Sequence, residues 1–222
     1  MSVYLKRWGF TPQRPIKQNY KQKPEQVKKW LDEEYPAIKE RCKAEKGDIY
    51  WGDETGVQNE TNYVKGYAPK GQTPMLKVDI TKIKVNMISA ISDQGKVRFM
   101  IYKDNMNCKT LINFMSRLIK SVDKKCFLIL DNLKVHHGIL VQKWLEKNKE
   151  KIVVFYLPPY SPEYNPDEYF NGNLKRDIAK KGNVHTVQEI ETNTRSFMKR
   201  LQNDKEHVAS YFKHKKIQYA AE

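Results

Sequence analysis

Three carboxylates stand where an α/β protein places its chemistry. Asp53 follows the strand-like run 49–52, and Asp131 follows the wholly apolar run Cys126–Leu130. Glu168 lies in the first turn of a predicted helix that comes after the last strand-like run. Because functional groups gather at the carboxyl ends of strands, we expect these acids to converge on one edge of a sheet. Carboxylate oxygens suit Mg²⁺, which takes a few protein ligands together with substrate phosphates.

The two aspartates also have structural explanations that the residues alone leave open. Asp53 begins the string Asp-Glu-Thr-Gly, which is ordinary turn composition. Asp131 is followed by Asn132, so this pair could form an Asx turn at the end of a strand. A charge directly after the run FLIL is nevertheless costly to bury unless it is paired or bound to a metal.

Glu168 has a structural alternative and a competing neighbour. With Asn165 as N-cap and Pro166 as the first helical residue, Glu168 occupies the glutamate position of a capping box. Asp167 is a second carboxylate one position earlier. Adjacent helical residues point about 100° apart, so only one of the two should face the cluster. Residue chemistry by itself does not select between them.

The hydrophobic pattern predicts an α/β domain with a mixed sheet and helices on its faces, preceded by a separate appendage at 1–46. The predicted strands cover 48–57, 85–92, 96–102, 126–130 and 152–157, and the predicted helices cover 25–44, 108–122, 137–149, 166–180 and 187–212. Pro36 should kink or divide the first helix, and Gly47 should end it. Thr186 and Glu189 form a capping box that opens the last helix.

The composition favours a polyanionic partner. Among 222 residues, Lys and Arg number 41 against 26 Asp and Glu, a net charge of +15. Nucleic acid is the first partner this suggests, and an anionic membrane surface is the second. No apolar run approaches the roughly 20 residues that span a bilayer, and the first ten residues lack the apolar core of a secretory signal. Three scattered cysteines indicate reduced thiols in a cytosolic protein.

Longer strings around the acids resemble a known family. WGDETG at 51–56, FLILDNLKVHH at 127–137 and LPPYSPEYNPDEYFNGNLK at 157–175 resemble the three acidic motifs of the DDE transposases. They are most similar to those of the bacterial insertion-sequence relatives of mariner, the IS-six-thirty group. GYAPKGQTP at 66–74 resembles a segment after the first aspartate in that group, and VYLKRWGFTPQRP at 3–15 resembles the end of its DNA-binding region.

The resemblance implies an RNase H-like fold and a transposase. Residues 47–222 would form the DDE catalytic domain, preceded at 1–46 by a basic linker and helix, the tail of a helix-turn-helix DNA-binding region. The implied activity cuts double-stranded DNA at transposon ends and joins the 3′-hydroxyl ends to target DNA, and it allows a homodimer in the DNA complex. A bacterial, cytoplasmic, nucleoid-associated protein is expected. The alternative is a truncated, catalytically idle chain that binds DNA as a remnant or regulator.

The resemblance also assigns roles to the acids. It carries the catalytic and metal-binding positions onto Asp53, Asp131 and Glu168. In the family pattern the third acid comes two residues after the proline, which selects Glu168 over Asp167. The implied cofactor is a pair of Mg²⁺ ions, with Mn²⁺ as a substitute.

Three basic or neutral side chains complete the predicted site. His136 matches a histidine that the family often carries after the second aspartate, where it would contact DNA or lie beside the metals. A plain histidine at the start of a helix is the alternative. Lys175 and Arg176 share the helix face of Glu168 two turns on, and we expect them to contact DNA phosphates. A solvated helix face is the alternative for these two residues.

Overall fold

A mixed five-stranded sheet lies at the centre of the protein, whose computed structural model describes residues 2–11, 19–59, 68–72, 83–181 and 184–221. The strands are β1 (Asp48–Gln58), β2 (Lys84–Ile91), β3 (Val97–Tyr102), β4 (Cys126–Leu130) and β5 (Ile152–Tyr156), in the order β3-β2-β1-β4-β5. The β1–β2 and β2–β3 pairs are antiparallel, and the β1–β4 and β4–β5 pairs are parallel. The predicted mixed sheet is confirmed. The motif strings at 3–15 and 66–74 lie partly outside the described residues.

Helices pack on both faces of this sheet. The helices of the described residues are α1 (Ser2–Arg7), α2 (Pro24–Lys29), α3 (Tyr35–Ala44), α4 (Cys108–Lys120), α5 (Ile139–Lys147), α6 (Pro166–Lys180), α7 (Val187–Gln202) and α8 (Lys205–Ser210), of which α3 to α7 contact the sheet. Single 3₁₀ turns occur at Lys134–His137, Pro162–Tyr164, Tyr211–Lys213 and Gln218–Ala220. Over the described ranges, no helix combines the length and the apolar character that crossing a bilayer requires.

Alternation along the central strands divides the core into two layers. Trp51 of β1 and Phe127 of β4 face the layer beneath α3, α6 and α7, which we call the α6 layer. Tyr50 and Leu128, one residue away on the same strands, face the layer beneath α4 and α5, which we call the α4 layer. All of Cys126–Leu130 is buried, because a central strand is covered on both faces as its apolar composition predicted.

The helical segment ahead of β1 is part of the core. Trp30 and Tyr35 are almost fully buried, and their rings pack against the ring of Trp51 at centroid distances of 6.4 and 5.4 Å. A separate appendage was expected for 1–46, and this does not hold for residues 24–44. The reason is that the apolar stripe of this segment packs on the sheet beside α6 and α7 and completes the α6 layer.

A single turn of π-helix, Trp30–Glu34, connects α2 to α3. The Tyr35 N–H donates to the Trp30 carbonyl, five residues back. Pro36 follows, and because proline has no N–H it cannot continue the regular i to i−4 ladder. The wider turn accommodates this interruption, so the prediction that Pro36 divides the helix is confirmed.

The end of α3 uses Lys46 and Gly47 in different ways. Lys46 takes the left-handed conformation, with φ of 51°, and the Gly47 N–H bonds to the Cys42 carbonyl at 2.9 Å. A Cβ on Gly47 would come within 2.6 Å of the Phe127 ring. Gly47 therefore marks the helix end as predicted, but its role is to allow close packing against β4.

The last predicted helix, 187–212, is interrupted. Its capping box is confirmed, since the Thr186 side chain accepts from the Glu189 N–H and the Glu189 carboxylate accepts in return. The single helix is wrong because the Asp204 side chain accepts from the His207 N–H and caps a new helix, α8. A short side chain that competes for backbone hydrogen bonds is a strong helix start.

Candidate active site

The register of β1 and β4 brings the first two acids side by side. The last β1–β4 residue pair is Trp51 opposite Ile129, and Asp53 and Asp131 stand two residues further along each strand. Asp53 therefore faces the α6 layer, and Asp131 stands just beyond the end of β4. Asp53 does not end its strand as expected, because β1 continues to Gln58 in antiparallel pairing with β2. What ends near Asp53 is the parallel pairing with β4.

A cleft of about 440 Å³ opens at this edge, and Asp53, Asp131 and Glu168 all line it. Its other walls come from the loops 132–134 and 157–162. Asp53 is 9% exposed, so its carboxyl group lies at the floor of the cleft. The three predicted acids, which come from β1, the end of β4 and α6, are thus brought together.

Helix α6 turns Glu168 toward the cleft and Asp167 away from it. Asp167 is completely buried, and its Oδ2 accepts from Ser89 Oγ at 2.7 Å. Asn165 caps the helix by accepting from the Asp167 N–H at 3.0 Å, and its own Nδ2 donates to the Gly52 carbonyl at 3.0 Å. The Asn165 N–H donates to a backbone carbonyl three residues earlier in the chain, and not to the Glu168 carboxylate. Glu168 therefore does not form a capping box with Asn165.

Crowding of the acids raises their pKa values. Burial, and then repulsion from Glu168 and other carboxylates, raises the pKa of Asp53 well above its ordinary value. Burial and the nearby charge of Glu54 raise the pKa of Asp131 to about 6. Burial also raises the pKa of Glu168, against the opposing charge of Lys175. The site therefore carries negative charge that protons or a cation can neutralise.

The oxygen atoms of this cluster suit a divalent cation. Asp131 Oδ1 is buried and, within the described ranges, makes no hydrogen bond. Asp53 is held in place, since its Oδ1 accepts from the Glu54 N–H at 2.9 Å and its Oδ2 accepts from Asn171 Nδ2 at 3.2 Å. A rigid carboxylate beside an unsatisfied carboxylate oxygen is a donor set for a hard ion. The residues present thus fit the magnesium expected from the sequence.

His136 and Glu54 lie directly behind the aspartates. His136 is fully buried, with Nε2 2.9 Å from Glu54 Oε1 and Nδ1 2.8 Å from the Asp131 backbone oxygen. Burial opposes it, but the hydrogen bond with Glu54 raises the pKa of His136. A buried ring offers no surface to DNA, so the placement favours the expectation that His136 lies beside the acids. Sequence reasoning did not single out Glu54, whose only signal was its position next to Asp53.

Lys175 and Arg176 are both exposed on α6. Lys175 is close enough to Glu168 for its charge to lower the pKa of that acid. Arg176 Nε donates to the Gly172 carbonyl at 3.2 Å, which holds the guanidinium against the helix. Lys175 thus lies near the acidic cleft, two turns along α6 from Glu168.

Asp53→Asn is expected to raise the melting temperature of the metal-free protein at about pH 7.5. The folded state holds the Asp53 proton more tightly than the unfolded chain, so its ionisation destabilises the fold as pH rises above the ordinary carboxyl range. Each kcal/mol relieved is worth about 2–4 °C in a chain of this size. Calorimetry at about pH 7.5 and pH 4 should show the gain only at the higher pH. Asp32→Asn, an exposed control, should leave the melting temperature unchanged at both pH values. A lower melting temperature for Asp53→Asn at the higher pH contradicts the prediction.

Two family models match the sequence. One described as a DDE superfamily endonuclease matches residues 48–191, a range that holds all five strands and the three acids. One described as a winged helix-turn helix matches residues 1–34. No protein of curated function matches the chain.

The fold is similar to solved structures of the Mos1 mariner transposase. The Mos1 strand transfer complex superposes with a TM-score of 0.70 at 14% identity, covering 100% of this chain and 69% of the other. The Mos1 paired end complex with Mg gives 0.71 at 14% identity, covering 99% and 69%. The isolated Mos1 catalytic domain gives 0.57 at 13% identity, covering 95% and 99%. At these identities the likeness establishes a shared RNase H-like fold.

Proposed function

The chain belongs to the DDE superfamily endonucleases, and from this premise we propose that it is the catalytic part of a transposase. The observation that carries the proposal is the acidic cleft to which Asp53, Asp131 and Glu168 all contribute. The proposed reaction cuts double-stranded DNA at transposon ends and joins the 3′-hydroxyl ends to a target. Solved relatives described as paired-end and strand transfer complexes support this choice of substrate.

We assign the chain more finely to the bacterial insertion-sequence relatives of mariner, the IS-six-thirty group. The three motif strings of the sequence support this assignment. Residues 47–222 are proposed as the catalytic domain, with 24–44 packed onto it, and the winged helix-turn helix match at 1–34 supports a DNA-binding region at the start of the chain. Action on host DNA implies a cytoplasmic protein at the nucleoid. Because the proposed reaction acts on two transposon ends, two copies of the chain would form a homodimer in the DNA complex.

Magnesium, or manganese in its place, is the proposed cofactor, held as two ions by Asp53, Asp131 and Glu168. Mos1 structures described with Mg and with Mn support it. Ions held there would supply activation of a water or 3′-hydroxyl nucleophile and charge stabilisation of the leaving oxygen. The protein's own part is to fix Asp53 through Glu54 and Asn171. Its net charge of +15 attracts DNA to the protein and offsets the negative charge of the acids.

Nicking of supercoiled plasmid tests this function. The purified chain should nick in Mg²⁺ or Mn²⁺, and chelation with EDTA or the change Asp131→Asn should remove the activity. Asp123→Asn, an exposed acid away from the cleft, serves as the control and should nick normally. Equal nicking by wild type and Asp131→Asn contradicts the assignment of the site. Intact DNA binding without nicking by the wild type favours the alternative of a catalytically idle, basic DNA-binding remnant.

Lys175→Ala/Arg176→Ala is expected to weaken DNA binding at low salt. Loss of two phosphate contacts should flatten the slope of log affinity against log salt by about 1–2, since each contact contributes about 0.9. The matched control is Lys147→Ala/Lys151→Ala, two exposed lysines where α5 leads into β5, at the opposite edge of the sheet. Fluorescence anisotropy across a salt series measures both slopes. An unchanged slope in the first variant removes Lys175 and Arg176 from the DNA contacts.

A further inference from the structure

The backbone pairing between β1 and β4 stops just short of the acids. Its last residue pair is Trp51 opposite Ile129, and beyond it β1 pairs with β2 alone. Asp53 and Asp131 therefore lie where no backbone ladder ties their two strands together. Two like charges side by side repel each other, so some other contact must set their separation.

The Glu54–His136 pair spans this gap. Glu54 follows Asp53 on β1, and its Oε1 lies 2.9 Å from His136 Nε2. The other ring nitrogen, Nδ1, lies 2.8 Å from the Asp131 carbonyl oxygen and must donate its proton there, because a carbonyl only accepts. The imidazole thus links the two aspartate-bearing strands through hydrogen bonds at both of its ring nitrogens.

The His136 ring is held in a single position by its neighbours. The Tyr156 hydroxyl of β5 donates to the His136 carbonyl at 3.0 Å, and the two rings are close to parallel at 14°. His136 is fully buried, and the Glu54 side chain is 12% exposed. A buried ring with both nitrogens engaged has a single orientation, and neither nitrogen is left to bind a metal ion. His136 can therefore act on the metal site only through its neighbours.

We propose that Glu54 and His136 are positioning residues that set the separation of Asp53 and Asp131, and thereby the affinity and ion-size selectivity of the metal site. This inference rests on the proposed function, in which the two aspartates are metal ligands. Glu54 leaves the opposite face of β1 from Asp53, so it buttresses that acid through the strand. His136 fixes the direction of the chain where it leaves Asp131. Partners of this kind, one step removed from a metal, are worth about 10–100-fold in metal affinity.

Binding of Mn²⁺ to the full chain without DNA tests the inference, with the free ion followed by electron paramagnetic resonance. Wild type should bind, and Asp131→Asn should not. His136→Ala should raise the Mn²⁺ dissociation constant by about 10–100-fold. His137→Ala, a change to its exposed neighbour, should leave the constant unchanged. Competition with Ca²⁺ should show a weaker preference for the smaller ion in His136→Ala only, a change that a loss of fold stability would not produce.

The Glu54 variants give an independent arm if His136→Ala does not fold. Glu54→Gln keeps a partner for Nε2 and should hold Mn²⁺ within a few-fold of wild type, whereas Glu54→Ala should match the loss expected for His136→Ala. If His136→Ala and Glu54→Ala fold and each binds Mn²⁺ with wild-type affinity, this inference is wrong. That result would leave the proposed function intact. Wild type that binds no Mn²⁺, or Asp131→Asn that binds it equally, overturns both.

Discussion

Glu168→Gln is expected to lower metal-dependent cleavage by about 10²–10³-fold. Glutamine keeps the size of the side chain but removes the charge that would hold a cation at the wall of the cleft, and a metal contact of this kind is worth several kcal/mol in the transition state. The change should leave the fold intact, since Glu168 lines the cleft and its charge is not paired in a capping box. Single-turnover nicking at saturating Mg²⁺ measures the loss.

Asp167→Asn is the matched control, one residue earlier on the same helix. Burial raises the pKa of Asp167 well above its ordinary value, although the hydrogen bond from Ser89 opposes this, so a neutral side chain suits this position. Asparagine has the same shape and can still accept from Ser89 Oγ. Nicking within a few-fold of wild type is expected. A large loss in Asp167→Asn with full activity in Glu168→Gln would reverse the assignment of the third acid.

Removal of residues 1–46 is expected to leave a chain that does not fold, whereas removal of 1–18 is expected to be tolerated. The longer deletion removes five buried hydrophobic side chains: Val27, Trp30, Tyr35, Ile38 and Cys42. Burial of one large apolar side chain contributes about 1.5–3 kcal/mol, and the whole stability of a domain is about 5–15 kcal/mol. The deletion would also expose the rings of Trp51 and Tyr219.

The shorter deletion keeps a second set of contacts. Gln22 Nε2 donates to the Tyr160 carbonyl and to Ser161 Oγ at 3.1 and 3.0 Å, next to the loop that lines the cleft. Circular dichroism and urea unfolding of both truncated chains measure the outcome. A chain of residues 47–222 that unfolds cooperatively at the wild-type urea midpoint contradicts the prediction and restores the separate appendage expected from sequence.

The sheet and its acidic edge were predictable because their signals are local. Cys126–Leu130 is wholly apolar, and a buried parallel strand needs that composition. Asp131 follows it directly, so the position of the charge at the end of the strand could be read from sequence. Asp53 was harder, since the turn-like string after it is in fact the second half of β1. That half is held by pairing with β2, and local propensity does not register a partner so far along the chain.

The Glu54–His136 contact behind the acids could not be predicted from the sequence, for a related reason. Glu54 and His136 are 82 residues apart, and only the fold brings them within 2.9 Å. The packing of Trp30 onto Trp51 is likewise a tertiary contact. The sequence therefore predicted a helical segment at 24–44 but did not show which surface its apolar face would pack against. The break at Asp204 was different, because a capping residue inside a long helical pattern is a local signal that the longer pattern hid.

The double use of Asn165 restricts which substitutions the lineage of this protein can accept. A helix N-cap tolerates Ser, Thr, Asp and Asn almost equally, so this position looks permissive when only α6 is considered. Its Nδ2 also donates to the Gly52 carbonyl, which lies where β1 parts from β4. Asparagine makes these two bonds with separate atoms, whereas aspartate has no donor and a Ser or Thr hydroxyl would need its single oxygen for both. Descendants that keep this edge of the sheet should therefore favour asparagine at 165, however far the rest of α6 diverges.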